Sequence, residues 1–342
     1  MSAYHRIAAE EAFAPPEVLD HYRALLKNRS YNDPGFESLC SFYLENTSAR
    51  ITEVIARMTD LGDLRLRDMD QTGIARQILS LTAPGVQVFD TPTAVALARS
   101  SNDFMVDAIR RHPERFSGLA AIAPQDPAAA AKELERGVRL LGLKGAIINS
   151  HTQGEYLDNP KFRPIFEAAE ALDVPVYIHP NTPSPAMIVP FLERGLDGAI
   201  FGFAVETGLH VLRIIVSGVF DRFPKLRIVI GHLGEGLPYW LFRIDFMHNR
   251  MVTANRYASV RKLQRKPSDY VRENIWVTTS GMAWEPPILY SQSVLGMDRV
   301  LYAMDYPYQF VPEEVAVTDN LPISDTDKKK LYETNAIKVF NI

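Results

Sequence analysis

Leu301-Tyr-Ala-Met-Asp305-Tyr-Pro307 is the stretch on which the fold turns. With Val300 in front of it, the run Val300 to Met304 is short and apolar, the signature of a buried strand. It ends on a carboxylate, and Pro307 prevents the strand from continuing. Asp305 is therefore read at a strand tip. An acid there either caps the next helix or points into a site where charge is used. The stretch alone leaves both open.

Seven similar runs precede it: Arg6 to Ala9, Arg76 to Leu81, Gly118 to Ala123, Gly145 to Asn149, Pro175 to Ile178, Leu226 to Ile230 and Ile275 to Thr279. Segments of helical period follow the runs, at Ile51 to Leu61, Ala94 to Arg111, Ala128 to Leu141, Phe162 to Leu172, Gly208 to Phe220, Leu237 to Met247, Pro287 to Leu295 and Asp325 to Phe340. This alternation predicts an α/β fold, a (β/α)₈ barrel of the TIM type more than a doubly wound sheet. No composition break or low-complexity tract divides the chain, so residues 1–342 read as one domain. Two excursions interrupt the alternation. Residues 15–69 follow the first strand, with a loop marked by Asn32 to Gly35, and residues 180–202 follow the fifth. Both leave the strand ends at which barrels build their pockets.

Composition narrows the function classes. The chain is 46% hydrophobic and 23% charged, which suits a large packed core and not a disordered segment. Its formal charge is −4, and Lys328-Lys329-Lys330 is too short a basic run to track phosphates, so no nucleic-acid partner is expected. The start, Met-Ser-Ala-Tyr-His-Arg, lacks the apolar core of a signal peptide, and no apolar run reaches membrane-spanning length. Cys40, the one cysteine, excludes an intramolecular disulfide and a cysteine-built metal site. A soluble cytoplasmic protein, associated with neither membrane nor nucleic acid, is the expectation.

In a barrel, the residues just past the strands share one rim. The first strand is read to end on Glu10-Glu11, the fifth on His179, the sixth on His232 and the eighth on Asp305. A lone histidine at a strand end is usually a satisfied hydrogen-bonder. Titratable groups at four strand ends of one rim are costly to bring together unless a cation or proton chemistry balances them. Glu10, His179 and Asp305 offer two hard oxygens and one imidazole, a set that suits Mn²⁺ or Zn²⁺ with positions left open. In His232-Leu-Gly-Glu235 the spacing lets the carboxylate reach the imidazole if a helix begins there, forming a proton relay. Otherwise Glu235 only favours a helix N-terminus.

Four segments together resemble the amidohydrolase superfamily, in its branch of non-oxidative aromatic acid decarboxylases: Ala9-Glu10-Glu11-Ala-Phe13, Tyr177-Ile-His179-Pro180, Gly231-His232-Leu-Gly-Glu235-Gly-Leu-Pro-Tyr-Trp240 and Met304-Asp305-Tyr-Pro-Tyr-Gln309. Ile148 to Gly154, Phe201 to Gly208 and Met282 to Pro286 resemble the 5-carboxyvanillate decarboxylases more than the resorcylate decarboxylases. The resemblance implies a metal, most readily Mn²⁺ with Zn²⁺ as the alternative, bound by Glu10, His179 and Asp305. It implies proton handling by Asp305, His232 and Glu235. It implies substrate binding by Arg50, Arg243, Phe203 and Tyr308, with Arg243 reaching in from a neighbouring subunit of a homo-oligomer, dimer or tetramer. Hydrolytic members open with His-x-His on the first strand; here Ala12 stands in the second place, and no lysine ends the fourth strand to bridge a second metal.

The implied substrate is a small hydroxylated aromatic acid. Loss of CO₂ from an aromatic ring leaves a carbanion that the π system cannot stabilise, so the ring carbon is better protonated first, and Asp305 is the nearest acid. As a ligand it would begin ionised and must first collect a proton, for which the substrate phenol is the source. Two rivals stay open: a mononuclear hydrolase of a lactone, since the same rim could activate water, and a metal-binding barrel without catalysis.

Overall fold

A computed structural model describes residues 4–342; the first three residues of the N-terminal stretch read above for a leader lie outside it. The eight runs are eight strands. They are β1 (Arg6–Phe13), β2 (Ile74–Leu81), β3 (Phe116–Gly118, continued by Ala120–Ala121), β4 (Ala146–Asn149), β5 (Val176–His179), β6 (Ile228–Ile230), β7 (Ile275–Thr278) and β8 (Val300–Leu301). Neighbours in sequence pair in parallel. Leu119 N–H donates to Leu79 O at 2.9 Å and Ala120 N–H to Gly145 O at 2.8 Å, so β3 is shared by both arcs of the sheet. Ala9 N–H donates to Tyr302 O at 2.9 Å and brings β1 onto the last strand, closing the barrel. The strands are buried on both faces, as their unbroken apolar runs require: Ile228, Val229 and Ile230 are all shielded from solvent.

The ends of the elements differ from expectation where the site is built. β1 runs to Phe13, four residues past Ala9, so Glu10 and Glu11 lie inside the strand and not beyond its tip. Between the pairs Ala8–Gln77 and Glu11–Leu79 the first strand advances by three residues and the second by two. The extra residue is a β-bulge, a device that re-aims side chains beside active sites.

The first excursion forms three helices, α1 (Pro16–Asn28), α2 (Pro34–Glu45) and α3 (Ala49–Thr59), before α4 (Asp63–Thr72) packs outside the barrel. The expected loop around Asn32 to Gly35 is instead a helix start. Asp33 caps α2 by accepting from the N–H groups of Gly35 and Phe36, with Pro34 in the first turn where its missing N–H costs nothing. The helix predicted from Gly208 begins at Gly202, and a helix at Pro267–Asn274 has no counterpart in the predicted set. No helix among the described residues is long and apolar enough to cross a membrane.

Candidate active site and metal centre

Glu10 enters the barrel from the bulge of β1 and is almost fully buried. Its Oε2 is held by the Tyr177 hydroxyl and by Thr278 Oγ1, the latter at 2.7 Å. Its Oε1 is buried and accepts no hydrogen bond from any described residue. Gly231 makes room for this carboxylate, because a Cβ there would lie 2.8 Å from Oε2 and 2.9 Å from Oε1.

His179 closes β5 and faces that orphaned oxygen. Its Nδ1 lies 2.8 Å from Pro180 O. A carbonyl only accepts, so Nδ1 carries the proton and Nε2 presents a lone pair. That lone pair is 3.4 Å from Glu10 Oε1. Burial, the largest influence, lowers the imidazole pKa and keeps the ring neutral. Two electron pairs pointed at each other in a dry site repel unless a cation stands between them.

Asp305 occupies left-handed backbone, at φ 72°. Burial pushes its carboxyl up to about 7; His232 pulls it back down, while Glu10 and Glu235 add to the rise. His232 Nε2 lies 4.0 Å from Glu10 Oε1, and Nδ1 lies 2.7 Å from Glu235 Oε1. Burial opposes charge on this ring, but Glu235 and then Glu10 overcome it and push its pKa up to about 10. The pairing does not use a helical turn. His232, Leu233, Gly234 and Glu235 all have positive φ, and this left-handed run folds the carboxylate back onto the imidazole.

By distance alone Glu10, His232 and Asp305 form the tightest group, with ligand atoms all within 4.8 Å of one another. Protonation separates the two histidines. His179 offers a free lone pair, whereas charged His232 offers only N–H groups. The donor set of two carboxylates and the Nε2 of His179 fits a hard or borderline divalent ion.

Above these groups lies a cavity of about 420 Å³, a volume suited to a small organic ligand. His179, His232 and Asp305 form its polar floor. Tyr43 and Phe42 of α2 line it, as do Phe203 and Tyr308. Tyr308 is fixed by hydrogen bonding between its hydroxyl and that of Thr82, and its ring meets Tyr43 edge-on at 5.3 Å. The two excursions meet over the cavity, where Ser38 Oγ donates to Asp197 Oδ2 at 2.7 Å. Arg50 and Arg243 are not among its lining residues. Arg50 is exposed on α3, with its charge felt at the Tyr43 phenol, and Arg243 is exposed on the helix Leu237–Thr253.

Sequence reasoning missed Tyr177, Thr278, Ser38 and Asp197. Tyr177 had a usable signal: it stands two residues before His179 on the same strand and so shares its face. The other three are brought in only by tertiary folding.

The sequence model of the Amidohydrolase family matches residues 57–342. The chain belongs to the amidohydrolase family. This amidohydrolase is 38% identical to gamma-resorcylate decarboxylase of Polaromonas sp. (strain JS666) over 98% of each chain. It is 50% identical to the crystal structure of 5-carboxyvanillate decarboxylase from Novosphingobium aromaticivorans, solved with manganese and 3-methoxy-4-hydroxy-5-nitrobenzoic acid; the match covers 99% of this chain and 98% of that one, with a TM-score of 0.98. The 5-carboxyvanillate decarboxylase of Sphingomonas paucimobilis is 40% identical, at a TM-score of 0.94 over 99% of this chain and 100% of the other. Manganese is therefore the metal found in a structural relative, and the orphaned oxygen of Glu10 and the free lone pair of His179 in this amidohydrolase fit it.

Proposed function

We propose that this amidohydrolase removes CO₂ from 5-carboxyvanillate, yielding vanillate, with Glu10, His179 and Asp305 as metal ligands. The observation that carries the reading is the pair of unmatched electron donors, Glu10 Oε1 and His179 Nε2, at 3.4 Å beneath an aromatic-walled cavity. When bound there, manganese neutralises the two carboxylates and favours the phenolate form of a phenol ortho to the departing carboxylate.

The residues of the chain then divide the proton work. Asp305 takes the phenolic proton and delivers it to the ring carbon that bears the carboxylate. The C–C bond to the carboxylate breaks, its electron pair returns to the ring, and CO₂ leaves. His232, held charged by Glu235, returns a proton to the product phenolate. Phe203 and Tyr308 hold the ring plane. Arg50, together with Arg243 reaching in from a neighbouring subunit, grips the carboxylate that remains, since a planar guanidinium matches a carboxylate with two parallel hydrogen bonds.

The oligomer part of the reading rests on the helix Leu237–Thr253. Phe242 is 85% exposed and Tyr239 73%, and an exposed apolar patch of this kind supports a contact with another copy of the chain. We read residues 1–342 as one domain and place the protein in the cytoplasm, where a single buried thiol such as Cys40 is at home.

The deciding experiment incubates manganese-loaded protein with 5-carboxyvanillate and follows CO₂ and vanillate. Opening of an added lactone without gas, with 5-carboxyvanillate left intact, would support the hydrolase reading instead. Unchanged kcat/KM after Arg50→Ala and Arg243→Ala would return both arginines to the solvated surface.

A further inference from the structure

Glu10 and Glu11 are adjacent in sequence but do different things. Glu10 faces the cavity floor, whereas Glu11 turns away into fully buried surroundings that no substrate reaches. Its Oε1 accepts from Met304 N–H at 2.9 Å and its Oε2 from Tyr306 N–H at 3.3 Å. These are the two amides that flank Asp305. One carboxylate thus grips the chain on both sides of the residue proposed as metal ligand and carbon acid.

Asp305 needs such a grip. Its φ of 72° is a conformation that an L-residue rarely adopts and keeps only when its surroundings over-determine it. Glu11 is itself fixed from below. Gln77 Nε2 donates to its Oε2 at 3.4 Å, and Arg65 Nη1 donates to Gln77 Oε1 at 3.1 Å. The Arg65 guanidinium also lies 4.5 Å from the centre of the Tyr306 ring, whose hydroxyl donates to Asp68 Oδ2 at 2.9 Å. All these side chains are buried, so the platform beneath Asp305 is dry.

We propose that Glu11 is the positioning residue for Asp305, holding its backbone through the N–H groups of Met304 and Tyr306 so that the carboxyl faces the metal site. Glu11 touches neither metal nor substrate and acts only through Asp305. Groups that orient a metal ligand from behind typically contribute about 10- to 100-fold to metal affinity or activity. The inference rests on the metal-site reading above, and the experiment separates the two.

The test uses full-length protein as wild type and as Glu11→Gln, whose amide can accept from only one of the two N–H groups. Three quantities are measured: the dissociation constant of the metal-stripped protein for Mn²⁺ by calorimetry, kcat and KM, and amide exchange over residues 301–309. The expected result is Mn²⁺ binding weakened about 10- to 100-fold, kcat lowered with KM nearly unchanged, and faster exchange confined to that peptide. A folded Glu11→Gln with wild-type Mn²⁺ affinity and exchange would overturn the proposal. Glu11→Asp, which keeps the carboxyl group but withdraws it by one methylene, is the second variant. Failure of both to fold would assign Glu11 to the fold alone and also overturn it. A wild type that binds no Mn²⁺ at Glu10 and Asp305 would instead refute the site reading.

Discussion

His232 Nδ1 and Glu235 Oε1 stand 2.7 Å apart across a turn of left-handed backbone, with φ of 50° and 53° at the two residues. The carboxylate is the largest of the charges that raise the imidazole pKa to about 10 against the opposing effect of burial. Replacing Glu235 by Gln removes the charge and keeps the shape. The imidazole pKa then falls, so the alkaline limb of the pH–rate profile moves to lower pH, and kcat drops about 10- to 100-fold. An alkaline limb that stays in place would show that His232 does not carry the proton.

Asp305 is asked to be both metal ligand and carbon acid. Asp305→Asn keeps an oxygen that can face a metal but has no proton to give. Turnover should fall by about 10²- to 10⁴-fold, the usual worth of a general acid. Metal analysis of the dialysed variant should still find manganese. A variant with near-wild-type rate would remove Asp305 from the proton path.

The barrel was legible because its strands are short, largely apolar runs, and each of the eight overlaps one of the predicted runs, though the last strand stops at Leu301 and not at Met304. The rim was legible for a similar reason. His179 ends its strand, while His232 and Asp305 follow theirs, and a polar residue there breaks the pattern visibly. The apolar run stops at Ala9 and so places Glu10 and Glu11 together at a strand end; a bulge leaves no mark in composition, and only pairing with β2 shows it. The His232–Glu235 contact was foreseen from its spacing, but by the wrong backbone. Gly234 and Gly236 make the left-handed run affordable, and their presence was the available signal. The seam between Ser38 and Asp197 joins residues 159 apart in sequence, beyond the reach of any local pattern.

Metal uptake should be acid-sensitive. In the metal-free protein burial, opposed by His232, pushes the Asp305 carboxyl up to about 7. Only the ionised carboxylate binds a cation, so protons compete with Mn²⁺ below that pH and the competition vanishes above it. Affinity should fall by up to about tenfold for each pH unit below about 7, with proton release on binding. Calorimetry in two buffers of different ionisation enthalpy checks both. An affinity flat from pH 5 to 8 would rule the linkage out.

The Ser38–Asp197 hydrogen bond holds the two excursions together over the cavity and involves none of the proposed metal ligands. Ser38→Ala should therefore raise KM, roughly three- to tenfold for a hydrogen bond to a charged group at a partly open site, and leave kcat within about twofold. Steady-state kinetics separates these terms. A fall in kcat with KM unchanged would place Ser38 in the chemistry and not at the mouth.

Acid should also unfold the protein through a histidine outside the active site. His210 is fully buried, and its Nε2 accepts from Leu157 N–H at 3.0 Å. The ring is therefore neutral, with its proton on Nδ1 facing Ser150 Oγ at 3.2 Å; that hydroxyl in turn donates to Glu206 Oε1 at 3.1 Å. Burial, assisted by His151 and Arg213, lowers the His210 pKa to about 3, whereas an unfolded histidine titrates near about 6.5. The unfolded chain thus binds a proton that the folded chain refuses. Stability is full above about 6.5 and is lost as pH falls from there toward about 3, by at most about 1.4 kcal/mol per pH unit. Buried Glu206, whose carboxyl pKa burial raises, titrates in the opposite sense, so the wild-type slope alone does not isolate the histidine. His210→Gln does: its melting temperature should be lower at pH 7 but fall less steeply between pH 6.5 and 4. Equal slopes in wild type and variant would show that His210 is not the group that acid charges.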